Sequence, residues 1–134
     1  MHDCVGALLL RADQVLLGLR AADREWLPGA WDVFGGHIGP GEAPEHALRR
    51  ELAEELGVIP LALRALGTLE ATDGTWRLRM YAVDAWEGEL VNRQPTEHAA
   101  MCWLPAAEAT ARLRTAHADF PAIIRAALHG RTQD

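Results

Sequence analysis

Apolar runs occupy Cys4–Leu10 and Gln14–Arg20, with Arg11-Ala12-Asp13 between them. Two such runs around a short polar break predict a β-hairpin with a three-residue loop. Residues 21–30 mix charge with Pro28 and Gly29 and read as a longer loop. Trp31–Phe34 predicts a short strand that delivers the chain into Gly35-Gly36. The period then changes: Leu48, Leu52 and Leu56 recur every four residues, so a helix with one apolar stripe faces a core. Pro44 suits the first turn of that helix, and Gly57 suits the position just past its end, where φ > 0 is usually needed. Leu61–Glu70 reads as a strand, although its alanine and leucine content leaves a helix open. Asp73-Gly74 is a strong turn signal. Thr75–Trp86 is the clearest strand, with Trp76, Leu78, Met80 and Ala82 alternating against Arg77, Arg79 and Tyr81. Residues 87–98 read as a polar loop, Met101–Leu104 as a strand, and the regions near 106–113 and 119–129 as alanine-rich helices. Strands interleaved with helices predict an α/β domain spanning residues 1–134.

The helix carries an unusual charge pattern. Glu51, Glu54 and Glu55 share the face beside its apolar stripe, and Arg50 projects close to Glu54. Like charges three and four residues apart cost a helix roughly 0.2–0.5 kcal/mol each. Glu54 and Glu55 also lie in the last turn, where the helix dipole prefers cations. A divalent cation would reverse both penalties, since carboxylates and carbonyls are the oxygen ligands Mg²⁺ accepts. A solvated acidic face is the alternative on helix geometry alone.

Composition narrows the class without choosing between these readings. The chain has 134 residues, nearly half apolar and a quarter charged, as in an ordinary globular domain. Its net charge is −6, its 13 basic residues are all arginine, and no basic run is present, so an extended nucleic-acid backbone is not an expected partner. Cys4 and Cys102 make neither a disulfide framework nor a zinc-spacing motif and read as buried small apolar residues. The N-terminal segment has Asp3 and no basic stretch before its apolar run, unlike a signal peptide. CVGALLL is far short of the roughly 20 residues a membrane helix needs, so a cytoplasmic protein without a membrane partner is expected.

The full spacing settles the helix. Gly36, five residues, Glu42, seven residues, Arg50-Glu51-Leu52, one residue, Glu54-Glu55, one residue and Gly57-Val58 resembles the complete Nudix box with no departure. Seven identity positions match by chance on the order of one window in 10⁸ at average composition. The resemblance implies an α/β/α sandwich around a mixed β-sheet. It also implies hydrolysis of a nucleoside diphosphate linked to another moiety, with Mg²⁺, or Mn²⁺ in its place, and water. Residue by residue, Glu54 and Glu55 match the principal metal ligands, with the Gly35 carbonyl as a supplement. Glu51 matches a metal ligand or general base, and Arg50 the residue that orients it. Glu42 supports the loop and helix or binds metal through water. His37, beside the glycine pair, is read as facing solvent. A nucleotide substrate and a monomer or homodimer are expected, and the intact carboxylate set speaks against a nucleotide sensor that does not hydrolyse.

Substrate choice lies outside the box. Trp86-Glu87-Gly88-Glu89, a polar loop and Trp103 look similar to the same segment of MutT-like nucleoside triphosphate pyrophosphohydrolases. That likeness implies a (d)NTP substrate, an oxidised purine among the candidates, with ADP-ribose or another nucleotide sugar as the alternative. MutT-like relatives often supply a further carboxylate from the loop. Counting from Trp86 reaches Gln94, whose amide can coordinate but cannot act as a base, whereas Glu97 is the one carboxylate between Glu89 and Glu108. Glu97 is therefore expected at the metal site or its water, the alternative being a surface Glu beside a surface His98. Of Trp26, Trp31, Trp76, Trp86 and Trp103, one or two are expected to meet ligand. Arg77 and Arg79 are read as solvated rather than as phosphate ligands.

Overall fold

A computed structural model describes residues 1–25 and 28–130; the expectation for Trp26 lies outside the described residues. The hairpin forms from β1 (His2–Arg11) and β2 (Gln14–Arg20), but its loop has two residues, with Ala12 at φ 53°. Arg11 pairs with Gln14, so it belongs to the strand. Two short strands follow, β3 (Trp31–Asp32) and β4 (Phe34–His37), where one was expected. They pair with different neighbours, β3 with β2 and β4 with β1. Helix α1 runs Pro44–Leu56, with Pro44 in its first turn and Gly57 capping it at φ 71°.

Beyond α1 come β5 (Ile59–Pro60), β6 (Arg64–Glu70), β7 (Trp76–Val83) and β8 (Trp86–Glu87). Trp86 is therefore not the end of the long strand. It pairs with Pro60 in a separate two-stranded ribbon. Strand β9 (His98–Pro105) begins three residues before the expected Met101 and pairs along β2. Helices α2 (Ala106–Arg114) and α3 (Phe120–His129) close the described fold.

The sheet is mixed: β1 runs parallel to β7 and antiparallel to β4 and β2. Period-two alternation along β1 builds both cores. Leu8 and Leu10 join Val15, Leu17, Met80, Ala82 and the buried faces of α2 and α3. Val5, Ala7 and Leu9 join Leu16, Phe34, Val83 and the α1 stripe, Leu48, Leu52 and Leu56. Helices thus cover both faces of the sheet, as an α/β/α sandwich requires. Arg77 and Arg79 are not solvated singly, because both ion-pair with Asp3 on β1. The two cysteines are free, Cys4 half-buried and Cys102 exposed rather than buried. No helix among the described residues is long and apolar enough to cross a membrane.

Candidate active site

The site is built where β4 passes the C-terminal half of α1. Gly35 runs so close to β1 that a Cβ there would lie 2.0 Å from the Val5 carbonyl oxygen, and its φ of 153° also favours glycine. That approach lets the Gly35 N–H donate to Glu55 Oε2 at 3.0 Å. Gly36 is short of space for a different reason. A Cβ on it would meet the Glu51 carboxyl at 2.5 Å.

Arg50 organises the N-terminal side of the cluster. Its Nε and Nη2 donate to the two Glu42 oxygens at 3.0 Å each, its Nη1 donates to Glu51 Oε1 at 2.9 Å, and Glu54 Oε2 lies 3.6 Å away. Glu42 also accepts the Gly39 N–H and contacts His46 Nδ1. The Arg50 guanidinium first, then these two partners, hold the Glu42 carboxyl down at about 2. Glu42 consequently works as a strut for Arg50 in the described structure. His37 is exposed, as expected, and its carbonyl accepts from Arg50 Nη2.

The three helix carboxylates sit in different surroundings. The Glu54 side chain is 52 % exposed. That of Glu51 is 17 % exposed, and burial raises its carboxyl against the opposing pull of Arg50. Glu55 is 4 % exposed, and its carboxyl is pushed up to about 9, first by burial and then by the nearby Glu51 and Glu97 charges. The Gly35 N–H opposes that shift, and the more distant Arg20 guanidinium attracts the Glu55 charge as well.

The loop expected to carry a further carboxylate docks on the end of α1. The last carbonyls of a helix need outside donors, and the Val91 and Arg93 N–H groups supply them to Leu56 and Glu55. A turn in which the Glu97 and His98 N–H groups bond the Gln94 carbonyl then starts β9. One ligand atom each from Glu55, Glu97 and His98 lie within 4.8 Å of one another. Glu97 also ion-pairs with Arg24 at 3.7 Å. Gln94 is not among the cavity-lining residues, whereas Glu97 is. His98, a surface residue only in the alternative reading of this loop, is 3 % exposed. Its only sequence signal is adjacency to Glu97, because a strand that starts inside a polar loop leaves no apolar run to mark it.

A cavity of about 550 Å³ opens from this cluster. Gly35, Gly36, Glu55, Glu97 and His98 line it together with the apolar Trp76, Leu78, Ala116 and Phe120, whereas Glu51 and Glu54 are not among its lining residues. Arg20 and Asp32, 3.8 Å apart, also line it. Trp76 is the cavity tryptophan among the described residues. Trp86 and Trp103 stack on each other with centroids 6.0 Å apart, and Trp31 packs against the α2–α3 core.

A helix flank of clustered carboxylates, glycine backbone beside them and a cavity leading away define a hydrolase of the phosphoanhydride-cleaving class. The model of the NUDIX domain matches residues 1–126, and the chain belongs to this family. A putative 8-oxo-dGTP diphosphatase 2 of Mycobacterium tuberculosis is 41 % identical over 107 residues, covering 78 % of this chain and 73 % of that protein. A CTP pyrophosphohydrolase of Escherichia coli is 32 % identical over 123 residues, covering 90 % and 87 %. The solution structure of the E. coli ORF135 protein superposes with a TM-score of 0.77 at 30 % identity, over 100 % of this chain and 95 % of that one.

Nudix hydrolases generally need a divalent metal, and the residues present fit one. Glu55 is a buried carboxylate whose burial and carboxylate neighbours outweigh what attracts its charge, an arrangement that is costly unless a cation compensates it. Glu51, Glu54, Glu55 and Glu97 could supply oxygen ligands, with the Gly35 carbonyl beside them. The donor set is hard and anionic, as Mg²⁺ or Mn²⁺ prefers.

Proposed function

We propose that the protein is a nucleoside triphosphate pyrophosphohydrolase that cleaves a (d)NTP to the monophosphate and pyrophosphate, with Mg²⁺ as its cation and Mn²⁺ able to replace it. One observation carries the reading. Glu55 and Glu97 line the same cavity as the apolar side chains Trp76, Leu78 and Phe120, so one space offers carboxylates for a cation and its phosphates and an apolar wall for a flat base. The names carried by the relatives, an 8-oxo-dGTP diphosphatase and a CTP pyrophosphohydrolase, support the same substrate class.

Glu54, Glu55 and Glu51 would hold the cation, with the Gly35 carbonyl as supplement and Glu97 as a further ligand from the loop. The bound cation supplies charge neutralisation on the phosphates and an acidified water. Phosphoryl transfer asks the protein mainly for positioning and electrostatics. Arg50 supplies the positioning, since its fork fixes Glu51 against the Glu42 strut. Glu51 accepts the proton of the water that attacks phosphorus. The new P–O bond forms as the anhydride P–O bond between the α- and β-phosphorus breaks, giving the monophosphate and pyrophosphate. Glu97 has the second claim on that proton.

A panel of canonical and oxidised (d)NTPs, dinucleoside polyphosphates and nucleotide sugars tests the assignment by kcat/KM and product identity. A (d)NTP giving the monophosphate and pyrophosphate is expected to lead. Preference for ADP-ribose, giving AMP and ribose 5-phosphate, would move the protein to the nucleotide-sugar class.

A further inference from the structure

His98 has no part in the family resemblance, yet the fold treats its ring as a fixture. Gly18 on β2 leaves the room for it: a Cβ there would lie 2.6 Å from His98 Cδ2. The Phe34 ring packs against it with centroids 4.8 Å apart. The Asn92 side-chain amide donates to the His98 carbonyl at 2.8 Å, and β9 shifts register against β2 at Leu19/Arg20, where His98 pairs. The ring is therefore held from both sides and from its backbone.

Held in this way, His98 Nδ1 is buried and has no hydrogen-bond partner among the described residues. A buried polar atom left in that state is unfavourable unless something outside the chain pairs with it. A ring nitrogen of the same residue also lies within 4.8 Å of carboxylate oxygens from Glu55 and Glu97. An acidic cluster with an unpaired buried imidazole beside it is a donor set of both oxygen and nitrogen.

We propose that His98 is a nitrogen ligand that completes, with Glu55 and Glu97, a mixed carboxylate–imidazole centre selecting Mn²⁺ over Mg²⁺. The inference rests on the proposed hydrolase site and qualifies its cation: Mg²⁺ supports turnover where it is in excess, while the intrinsic affinity of the site is higher for Mn²⁺. Mg²⁺ is a hard cation held through oxygen. Mn²⁺ shares its preference for carboxylate but belongs to the first-row series whose other members take imidazole readily, so one nitrogen donor in a carboxylate site favours Mn²⁺ of the two. Neither Glu55 nor Glu97 could discriminate between these ions alone. A ring clamped between Gly18 and Phe34 has little freedom left to lose on binding, so the preference is built into the metal-free fold.

Pulsed EPR of the Mn²⁺-loaded full chain tests this directly. Wild-type protein is expected to show hyperfine coupling to a directly bound ¹⁴N that changes on ¹⁵N-histidine labelling. His98→Gln should lose it and bind Mn²⁺ about tenfold or more weakly, a loss that even outer-shell partners can produce. Mg²⁺ affinity should change far less. The cavity's other histidines are His2, His37 and His117. A His2→Gln/His37→Gln/His117→Gln variant should keep the coupling, which decides the matter even if His98→Gln does not fold. Bound Mn²⁺ that supports hydrolysis without nitrogen coupling overturns the His98 assignment and leaves the hydrolase reading standing. Coupling that vanishes in the triple variant overturns it too. Failure of Mn²⁺ to bind wild-type protein overturns the His98 assignment, and only failure of Mg²⁺ to bind as well would sink the hydrolase reading.

Discussion

At the scale of single residues, the carboxylates differ by environment. Glu55→Gln and Glu54→Gln keep shape and remove charge, and each is expected to lower kcat by about 10²–10³, the scale of losing one preorganised charge-stabilising group. Glu45→Gln, exposed in the first turn of α1, should leave turnover nearly unchanged. Equal losses at all three, with the fold intact by circular dichroism, would show that the cluster is structural. Glu55 also predicts a pH dependence. Its folded carboxyl titrates at about 9 against an ordinary 4.5, so between those values the native state holds a proton that the unfolded chain has lost. Stability of the metal-free protein should therefore fall as pH rises through that window. Urea midpoints in EDTA at pH 5.5 and 8.5 measure this, and Glu55→Gln should flatten the difference. Cation binding displaces the same proton, so metal affinity should rise with pH over that range. Gly36→Ala tests the packing of the cluster. Its Cβ would sit 2.5 Å from the Glu51 carboxyl, the free end of a side chain. The expected outcome is impaired turnover in a protein that still folds, measured by kcat beside the thermal midpoint.

At the scale of elements, α1 and the loop behind it act as one unit. The helix was legible in the sequence because Pro44, Gly57 and the Leu48–Leu52–Leu56 stripe are local signals that agree. The loop was not, because its order comes from a distant partner, namely the last carbonyls of α1 taking N–H groups from Val91 and Arg93. For the same reason Glu97 could be singled out from sequence as the one carboxylate of the loop, while the burial of His98 had no sequence signal. The hairpin loop was counted one residue long, since Arg11 is polar yet still pairs in the ladder. Gly57→Ala tests the coupling. A non-glycine residue at φ 71° costs about 1–2 kcal/mol, and the new Cβ would lie 3.1 Å from Arg93 Cδ. Denaturant unfolding should show that loss, and metal affinity should weaken with it because the loop carries Glu97. Leu52→Ala, in the middle of the stripe, should cost about 2–5 kcal/mol.

At the scale of the whole molecule, the sheet separates its tasks by face. One face of β1 packs under α1 and its carboxylates, and the other packs under α2 and α3. The cavity takes lining from both, Glu55 on α1 and Phe120 at the start of α3. Alternation along the strands made the two-faced sandwich readable. It could not show that Trp76 faces the cavity while Trp86 and Trp103 stack together, because β8 leaves the main sheet and no residue pattern marks that departure. The central claim is that this cavity splits a nucleoside triphosphate with a cation held by the α1 carboxylates. Following one dNTP sample by ³¹P NMR, first in EDTA and then with excess Mg²⁺, tests it most directly. The account predicts no turnover before the cation is added and monophosphate with pyrophosphate afterwards. Turnover in EDTA, or diphosphate with orthophosphate as the products, would contradict it.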